Sequence, residues 1–490
     1  MKSTLICLLV LTSMLSFAQK KRLPNEFAKS ITVDDLKKHL YIISGKEMEG
    51  RETASEGQRK AAKYIEDHFR QLNLMPGNKD SFQYSYNLYQ DSLLDAKIEV
   101  NGQPYQLDKE FNPSPNNIQA TLRFSEAILV GRNTADSLAG MNLNGKLILM
   151  PANTSSNLQV NLVSSQMLRE KGVTAILWVS NNYPRTNSAN RKSQEVLSSF
   201  QPSVGPQHFY ISENIARAIV KDYSEVKSQN KEIRKYKANI LLEVKKQTHT
   251  LQSSNVIGIL EGSDLKNEYL FLTAHYDHLG KDDNVIYYGA DDDGSGTVSI
   301  LELAEAFAKA KATGIGPRRT IVFMAVSGEE KGLLGSEYYT DHPLLPLDKV
   351  TANLNIDMIG RSDPKRNYGD SLNYVYVVGD DKLSSDLRII SEATNKKYTG
   401  LELDYKYNDP DDKEFIYYRS DHYNFAKHGV PIIFYFNGTH ADYHKPTDTP
   451  DKINYSLLSK RAQFIFYTAW EMANRNEMLK RDLPLPQLRR

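Results

Sequence analysis

The sequence has almost no cysteine: Cys7 is the only one among 490 residues. It lies in an apolar run from Leu5 to Phe17 that follows a lysine and precedes the small-residue pattern Ser-Phe-Ala, which is typical of an export signal. We therefore expect residues 1–18 to be a signal peptide and the protein to be periplasmic or extracellular, with a buried N-terminal helix as the alternative. Without Cys7, the mature chain would contain neither disulfides nor a cysteine nucleophile.

The sequence also lacks an excess of charge, because 61 basic residues balance 60 acidic ones. This balance gives no support for nucleic acid or an anionic membrane as a partner. Beyond the N-terminus, no stretch reaches the about 18 apolar residues that a membrane-spanning helix needs, so we expect no transmembrane segment. The length is too great for one ordinary core and predicts two or three folding units.

The pattern of predicted helices and strands changes twice along the chain. Helical patterns follow Thr32 and run from Ser55, a predicted cap, to Leu74. Residues 115–247 contain short strands but no dense cluster of His, Asp and Glu, which predicts an inserted α+β domain. From about residue 252, apolar strands alternate with helices, including one over 295–310, which predicts an α/β fold with a mostly parallel mixed sheet flanked by helices. Residues 19–114 and 248–490 would together form this main domain.

Acidic and imidazole side chains recur just after the apolar strands of the main domain. In such sheets, ligands bind outside the carboxyl ends of the strands, so these side chains should meet at one edge. The segments that supply them are TAHYDH with His275, GADDDGSG with three aspartates, SGEE with Glu329 and Glu330, NIDMIG with Asp357, and the stretch after VPIIFYFNG with His440 and His444.

Carboxylates gathered in one crevice repel each other unless a cation is present. Histidine and carboxylate without cysteine match a catalytic zinc site, although manganese or cobalt could be accommodated. One aspartate of the triplet could bridge two ions, which suits hydrolysis through a shared hydroxide. Of the adjacent Glu329 and Glu330, one could ligate and the other accept a proton, while Asp277 could orient His275.

Together, the motifs TAHYDH, GADDDGSG, SGEEKGLLGS, NIDMIG, RSDHYNFAKHGVP and YHKPTDT resemble the zinc aminopeptidases of the twenty-eighth metallopeptidase family. The resemblance covers about residues 253–450 and implies a di-zinc exopeptidase fold with a cis peptide bond before Asp293. Asp293 itself would not bind metal but would contact the residues that do. It further implies two zinc ions, Glu329 as general base, and five metal ligands: His275, Asp292 as the bridge, Glu330, Asp357 and His444.

Two weaker resemblances extend this assignment. The inserted region, 115–247, resembles a protease-associated domain in AILVGRNTADSLAGMNLNGKLILMP and GVTAILWVSNN. Such inserts lie beside the cleft and can restrict substrate access. A side chain near the SDH motif can polarise the scissile carbonyl in the family, and Tyr417 or Tyr418 could do so here, although both could simply pack.

The resemblance implies an exported aminopeptidase that hydrolyses N-terminal residues from a peptide substrate. A carboxypeptidase or dipeptidase remains an alternative, since no pocket signature separates them. A one-metal glutaminyl cyclase of the same fold and a non-catalytic, receptor-like binding protein are further alternatives, but the complete set of ligand positions disfavours both.

Overall fold

The computed structural model describes residues 24–131, 138, 140–151, 166–183, 191–200, 204–226 and 233–485. The expected signal peptide, residues 1–18, lies outside the described residues. None of the helices in the described ranges has both the length and the apolar character needed to cross a bilayer.

Helices and strands alternate mainly from Gly296 onwards, whereas strands predominate between residues 75 and 211 of the described chain. The helices whose bounds lie within the described residues are α1 (Asn25–Ala28), α2 (Val33–Ile43), α3 (Glu56–Gln71), α4 (Glu213–Ile219), α5 (Tyr223–Val226), α6 (Gly296–Ala312), α7 (Leu334–Asp341), α8 (Asp386–Tyr398), α9 (His422–Lys427) and α10 (Tyr455–Asn474). The strands are β1 (Met75–Pro76), β2 (Gln83–Val100), β3 (Gln103–Tyr105), β4 (Phe111–Pro113), β5 (Ala120–Leu129), β6 (Leu147–Pro151), β7 (Ala175–Val179), β8 (Gln207–Ile211), β9 (Arg234–Leu260), β10 (Leu265–His275), β11 (Lys281–Asp282), β12 (Val285–Ile286), β13 (Arg319–Val326), β14 (Val350–Ile356), β15 (Tyr374–Val378), β16 (Glu402–Asp404) and β17 (Ile432–Phe436).

The chain divides into two compact units. The first contains residues up to Tyr84, Asn255–Val326 and Tyr339 onwards, and the second contains Ser85–Ser254 and Ser327–Tyr338. Both boundaries predicted for the insertion, at 115 and 247, fall inside the second unit. At the N-terminal side, β2 from Ser85 onwards and β3 already belong to the second unit, whereas the sequence pattern there indicates only alternating strands.

The first unit contains a mixed, mostly parallel sheet in the order β16-β15-β17-β14-β10-β13-β9. Strand β10 pairs in parallel with both β13 and β14, and β14 pairs in parallel with β17. All residues of β13 and β14 are buried, which explains the continuous apolar run of β13 from Ile321 to Val326. Strand β14 buries polar residues as well, namely Thr351, Asn353 and Asn355. The predicted α/β fold class is confirmed.

Two predicted helix starts in the first unit are stabilised by side-chain caps. The side chain of Thr32 accepts a hydrogen bond from the backbone N–H of Asp35, and that of Ser55 accepts one from Gln58. Helix α3 ends three residues before the predicted Leu74. Helix α6 begins only after an irregular turn, because the aspartate triplet leaves helical geometry.

The second unit contains a run of paired strands and an apolar core. Strands β5, β6, β7 and β8 are parallel neighbours, and the part of β9 before Asn255 pairs antiparallel with β5. Helix α4 buries Ile215, Ala216 and Ile219 in a core with strand residues such as Leu177. This unit therefore buries an apolar cluster of its own, as expected of an independent folding unit.

Candidate metal centre

Four of the predicted ligands lie in the first unit, beyond the ends of its strands. His275 is the last residue of β10, and Asp357 directly follows β14. Because β10 and β14 are parallel neighbours, these two residues emerge at the same edge of the sheet. Asp292 lies in the turn Ala290–Ser295 that leads into α6, and His444 lies in the loop after β17.

Asp292 presents its two carboxylate oxygens to two different imidazoles. Its Oδ1 lies 3.3 Å from Nε2 of His275, and its Oδ2 lies 3.1 Å from Nε2 of His444. Oδ1 of Asp357 lies 3.6 Å from Nε2 of His275. Burial acts to raise the pKa of Asp292, but the two imidazoles outweigh burial and hold it well below its ordinary value. Asp292 therefore has the arrangement of a bridging carboxylate.

The separations between these donor atoms fit zinc. With metal–ligand bonds of about 2.0–2.1 Å and tetrahedral angles, two ligand atoms on one ion lie about 3.3 Å apart. The three separations of 3.1, 3.3 and 3.6 Å lie close to that value. Imidazole nitrogen and carboxylate oxygen are also the donors that zinc accepts in catalytic sites. The residues present therefore fit the metal that the motifs imply.

Asp293 is fully buried beside the bridging aspartate and holds two elements together. Its Oδ1 accepts hydrogen bonds from the backbone N–H groups of Gly296 at 2.8 Å and Met358 at 3.1 Å. The peptide bond between Asp292 and Asp293 is cis, as the resemblance implies. Burial, with the charge of Asp357 added, raises the pKa of Asp293 well above its ordinary value. Asp293 thus joins the start of α6 to the segment after β14.

Asp277 contacts His275 mainly through its backbone. Nδ1 of His275 lies 3.1 Å from the backbone oxygen of Asp277 and 3.7 Å from its carboxylate Oδ1. Thr53 donates its hydroxyl to Oδ2 of Asp277 at 2.7 Å. The imidazole is therefore oriented by the chain turn as well as by the carboxylate, and the carboxylate is itself held by Thr53.

Ser420 is a functional candidate that the sequence analysis missed. Its Oγ donates to Oδ2 of Asp357 at 2.7 Å, and the side-chain amide of Asn355 donates to the same Oγ at 2.9 Å. The other oxygen of Asp357 is the one near His275. The only signal in the sequence is the position of Ser420 in the SDH motif.

Asp448, in the YHKPTDT motif, was missed as well. Its Oδ2 accepts hydrogen bonds from the backbone N–H groups of Asp291 at 3.0 Å and Asp292 at 3.2 Å. Burial, together with the charge of Asp291, raises its pKa to about 6. Nε2 of His440 lies 3.2 Å from Oδ2 of Asp291. Asp448 therefore anchors the backbone of the bridging residue.

His278 is the third missed residue, one position after Asp277. It is fully buried, and its Nδ1 lies 3.9 Å from Oδ2 of Asp292. Its ring meets that of His444 edge-on at a centroid distance of 5.9 Å. A repeated histidine in TAHYDH is the sequence signal that could have identified it.

Glu329 and Glu330 follow the end of β13 by three and four residues and belong to the second unit. Both are half-buried, and the backbone oxygen of Glu329 accepts hydrogen bonds from the N–H groups of Gly332 and Leu333. Before them, Gly328 has a positive φ of 74°, which suits a glycine. The segment therefore turns sharply at the two glutamates, whose roles stay predictions.

The two tyrosines before the SDH motif differ in exposure. Tyr417 is buried, and burial raises its pKa far above the ordinary value. Its ring packs edge-on against Tyr418 and His422, while Tyr418 is only half-buried. Tyr418 is therefore the more accessible of the two side chains.

The fold and this cluster define an α/β protein with metal-ligand side chains at the carboxyl edge of a mostly parallel sheet. Residues 255–469 match the family model described as Peptidase family M28. This match confirms the resemblance that was predicted from the motifs.

Relatives with curated descriptions agree with this family. A probable leucine aminopeptidase of Arthroderma otae is 29% identical over 241 residues, which cover 48% of this chain and 62% of that protein. A probable zinc metalloprotease of Pyrenophora teres f. teres is 35% identical over 156 residues, 28% of this chain and 31% of that protein. The chain thus matches less than two thirds of the length of these relatives.

A solved structure extends the likeness to nearly the whole chain. The aminopeptidase from Aneurinibacillus sp. strain AM-1 superposes with a TM-score of 0.59 and 19% identity, over 95% of this chain and all of that one. At this identity, the likeness concerns the fold.

Proposed function

We propose that this protein is an exported di-zinc aminopeptidase that removes N-terminal residues from peptides. The observation that carries the proposal is the placement of the two Asp292 oxygens at 3.3 and 3.1 Å from the imidazoles of His275 and His444. A carboxylate shared in this way serves two cations rather than one. The names of the relatives, a leucine aminopeptidase and a zinc metalloprotease, support the same reading.

Each ion has its own set of protein ligands in this proposal. His275 and Asp357 would hold one ion, His444 and Glu330 would hold the second, and Asp292 would serve both. Ser420 and Asp448 restrain Asp357 and Asp292 respectively, so both aspartates meet the ions in a fixed orientation.

The residues of the chain divide the chemistry of peptide hydrolysis between them. Bound zinc supplies Lewis acidity, which polarises the scissile carbonyl and makes water more acidic. The carboxylate of Glu329 accepts a proton from the attacking water as the C–O bond forms. It then delivers that proton to the nitrogen of the leaving amine as the C–N bond breaks. Tyr418 is the candidate for contact with the carbonyl oxygen.

The decisive experiment compares unblocked and N-acetylated peptides with and without a chelator, together with a panel of aminoacyl chromophore substrates. We expect metal-dependent cleavage of unblocked peptides only. Equal cleavage of the acetylated peptides would reject the aminopeptidase assignment, and release of C-terminal residues would indicate a carboxypeptidase. Cyclisation of N-terminal glutamine would indicate a glutaminyl cyclase, and binding without turnover a receptor-like protein.

Two parts of the chain outside this site complete the proposal. The region 115–247 acts as a protease-associated domain that limits access of long substrates, and the apolar core that it forms together with residues 93–111 supports this role. If so, kcat/KM falls with peptide length beyond a few residues, and a kcat/KM that does not depend on length contradicts this role.

Residues 1–18 act as the export signal, which predicts a mature N-terminus at Gln19. N-terminal sequencing of the exported protein tests this prediction.

A further inference from the structure

Arg51 is an arginine without solvent exposure in the Glu49–Gly57 segment, EGRETASEG, outside the part that matches the family model. Its guanidinium makes four hydrogen bonds of 2.8–2.9 Å to backbone oxygens. The acceptors are the carbonyls of Ile43, Tyr276, Tyr288 and Gly289. A buried guanidinium is costly unless its donors are satisfied, and here carbonyls from three segments satisfy it.

Two of these segments carry the proposed metal ligands. Tyr276, whose carbonyl accepts from Nε, directly follows His275. Gly289, whose carbonyl accepts from Nη2, stands three residues before Asp292. One side chain therefore connects the loop after β10 to the loop before α6, the two loops that provide His275 and the bridging carboxylate.

We propose that Arg51 is a positioning residue for the metal centre. Its side chain fixes the His275 loop relative to the Asp292 loop and balances the negative charge of the carboxylates. The inference rests on the proposed function, because it assigns Arg51 a role towards the two zinc ions. Arg51 touches neither substrate nor metal and acts only through the backbone of the loops.

The charge of Arg51 serves the carboxylates even before an ion is bound. Burial lowers its pKa to about 10, and the charges of Asp277, Asp292, Asp293 and Asp448 counteract that decrease, so the side chain stays cationic at neutral pH. The aspartate triplet has no basic residue near it in sequence, and Arg51 supplies a fixed positive charge from a distant segment. A planar guanidinium spreads five donors over three nitrogens and so can hold four carbonyls at once, whereas a lysine has three donors on a single nitrogen.

Neighbours of Arg51 strengthen the same connection. Thr53 holds the carboxylate of Asp277 at 2.7 Å, and the side-chain amide of Gln58 donates to the hydroxyl of Tyr276 at 2.6 Å. The backbone oxygen of Gly50 accepts from the N–H of Gly280 at 2.9 Å. A Cβ on Gly50 would lie 2.1 Å from the oxygen of Gly280, so only glycine permits this approach.

Arg319 offers a matched control. It is also without solvent exposure and also donates to backbone oxygens, those of Met472, Arg475 and Asn476. It lies at the amino end of β13, opposite to the strand end that leads to the glutamates, and pairs with Glu268 at 2.7 Å. Loss of Arg319 should therefore lower stability without changing zinc affinity of the folded protein.

The test measures zinc affinity by chelator competition and the visible spectrum of the Co²⁺-substituted protein, on full-length wild type, R51M, R51K and R319M. Circular dichroism gives the folded fraction of each. We expect zinc affinity to fall at least tenfold in R51M and R51K, with an altered Co²⁺ spectrum, and to stay within twofold of wild type in R319M. Wild-type affinity in R51M or R51K, or an equal loss in R319M, overturns the proposal.

Two milder variants keep the inference testable if R51M does not fold. T53V removes the hydroxyl that holds Asp277 and should weaken zinc binding severalfold, whereas T53S keeps the hydroxyl and should bind as wild type. Equal binding by T53V and wild type contradicts the role of this segment. Wild-type protein that binds fewer than two zinc ions contradicts the proposed function as well, so the two failures are distinguishable.

Discussion

Ser420 donates its hydroxyl hydrogen to Oδ2 of Asp357 at 2.7 Å, and the other oxygen of Asp357 lies 3.6 Å from His275. Behind Ser420, the amide of Asn355 donates to its Oγ, and Asn355 in turn accepts from Thr273. All of these groups are buried. A chain of satisfied hydrogen bonds therefore leads from the interior of the sheet to a proposed zinc ligand and fixes its rotation.

Replacement of Ser420 by alanine leaves a carboxylate oxygen of Asp357 without this donor. We expect a loss of stability of about 1–3 kcal/mol and weaker binding of one zinc ion, with lower kcat. Metal titration and steady-state kinetics measure these effects. S391A is the control, because Ser391 is fully buried and its hydroxyl has no hydrogen-bond partner among the described residues. Unchanged zinc binding in S420A would contradict the proposed restraint.

Replacement of Glu329 by glutamine removes the proposed proton acceptor while keeping the shape of the side chain. We expect kcat to fall by about 10²–10⁴-fold, while both zinc ions remain bound. Metal analysis and kinetics on the same sample measure the two quantities. E330Q is the comparison, since loss of a proposed ligand should lower metal content. An active E329Q enzyme with full metal content would overturn the assignment of the base.

Removal of zinc should lower thermal stability, because ions that bind only the folded state stabilise it. At free zinc one hundred times above Kd, the gain is about 2.7 kcal/mol per independent site. In D292N the shared carboxylate is lost, so we expect little increase in Tm when zinc is added to the chelated protein. D80N is the control, because Asp80 is exposed. The hypothesis fails if the Tm of D292N rises with zinc as much as that of wild type.

Glu302, which lies on α6 and is not one of the proposed metal ligands, should make the stability of the protein depend on pH. It is buried with Oε1 at 3.5 Å from Nε2 of His39, and burial, with Glu305 and Asp35 adding to it, raises its pKa from 4.5 to about 8. The folded protein then binds more protons than the unfolded chain between these values. Stability should therefore decrease as the pH rises through this window.

The titration of His39 opposes the effect of Glu302 below pH 6.5, so the effect of Glu302 is best tested above that pH. Burial, with the nearby His68, lowers the pKa of His39 from 6.5 to about 4, which by itself makes stability rise with pH below 6.5. The urea midpoint of chelated wild type should thus fall between pH 6.5 and 8.5, while that of E302Q falls less. E477Q serves as the control, because Glu477 is exposed and is not among the groups that shift the pKa of Glu302. Parallel curves for wild type and E302Q would refute this cause.

The fold of the first unit was predictable because its signals are local. The Ser55 cap and the apolar spacing behind it predict α3, and the apolar run of β13 predicts a strand buried on both faces. The assignment of β2 to the second unit was not predictable in the same way. Whether a strand joins one core or another depends on its long-range partners, which no local pattern contains.

The candidate site was predictable where a motif contains a histidine or a carboxylate. His275, Asp292, Asp357 and His444 were singled out from such motifs, and the structure brings them within 3.1–3.6 Å contacts. Ser420 and Asp448 were missed because a serine or aspartate in a loop is ordinary until its partner is known. Arg51 was missed because it lies more than two hundred positions from the loops it holds.

The sequence by itself determined which histidines and carboxylates follow the strands, because residue type and strand order can be read along the chain. From these residue types it also predicted a cation among them. Only the tertiary structure decided that one oxygen of Asp292 faces His275 while the other faces His444, and that Arg51 joins their loops. Ligand geometry depends on side-chain rotation and on contacts between distant segments, and folding alone sets both.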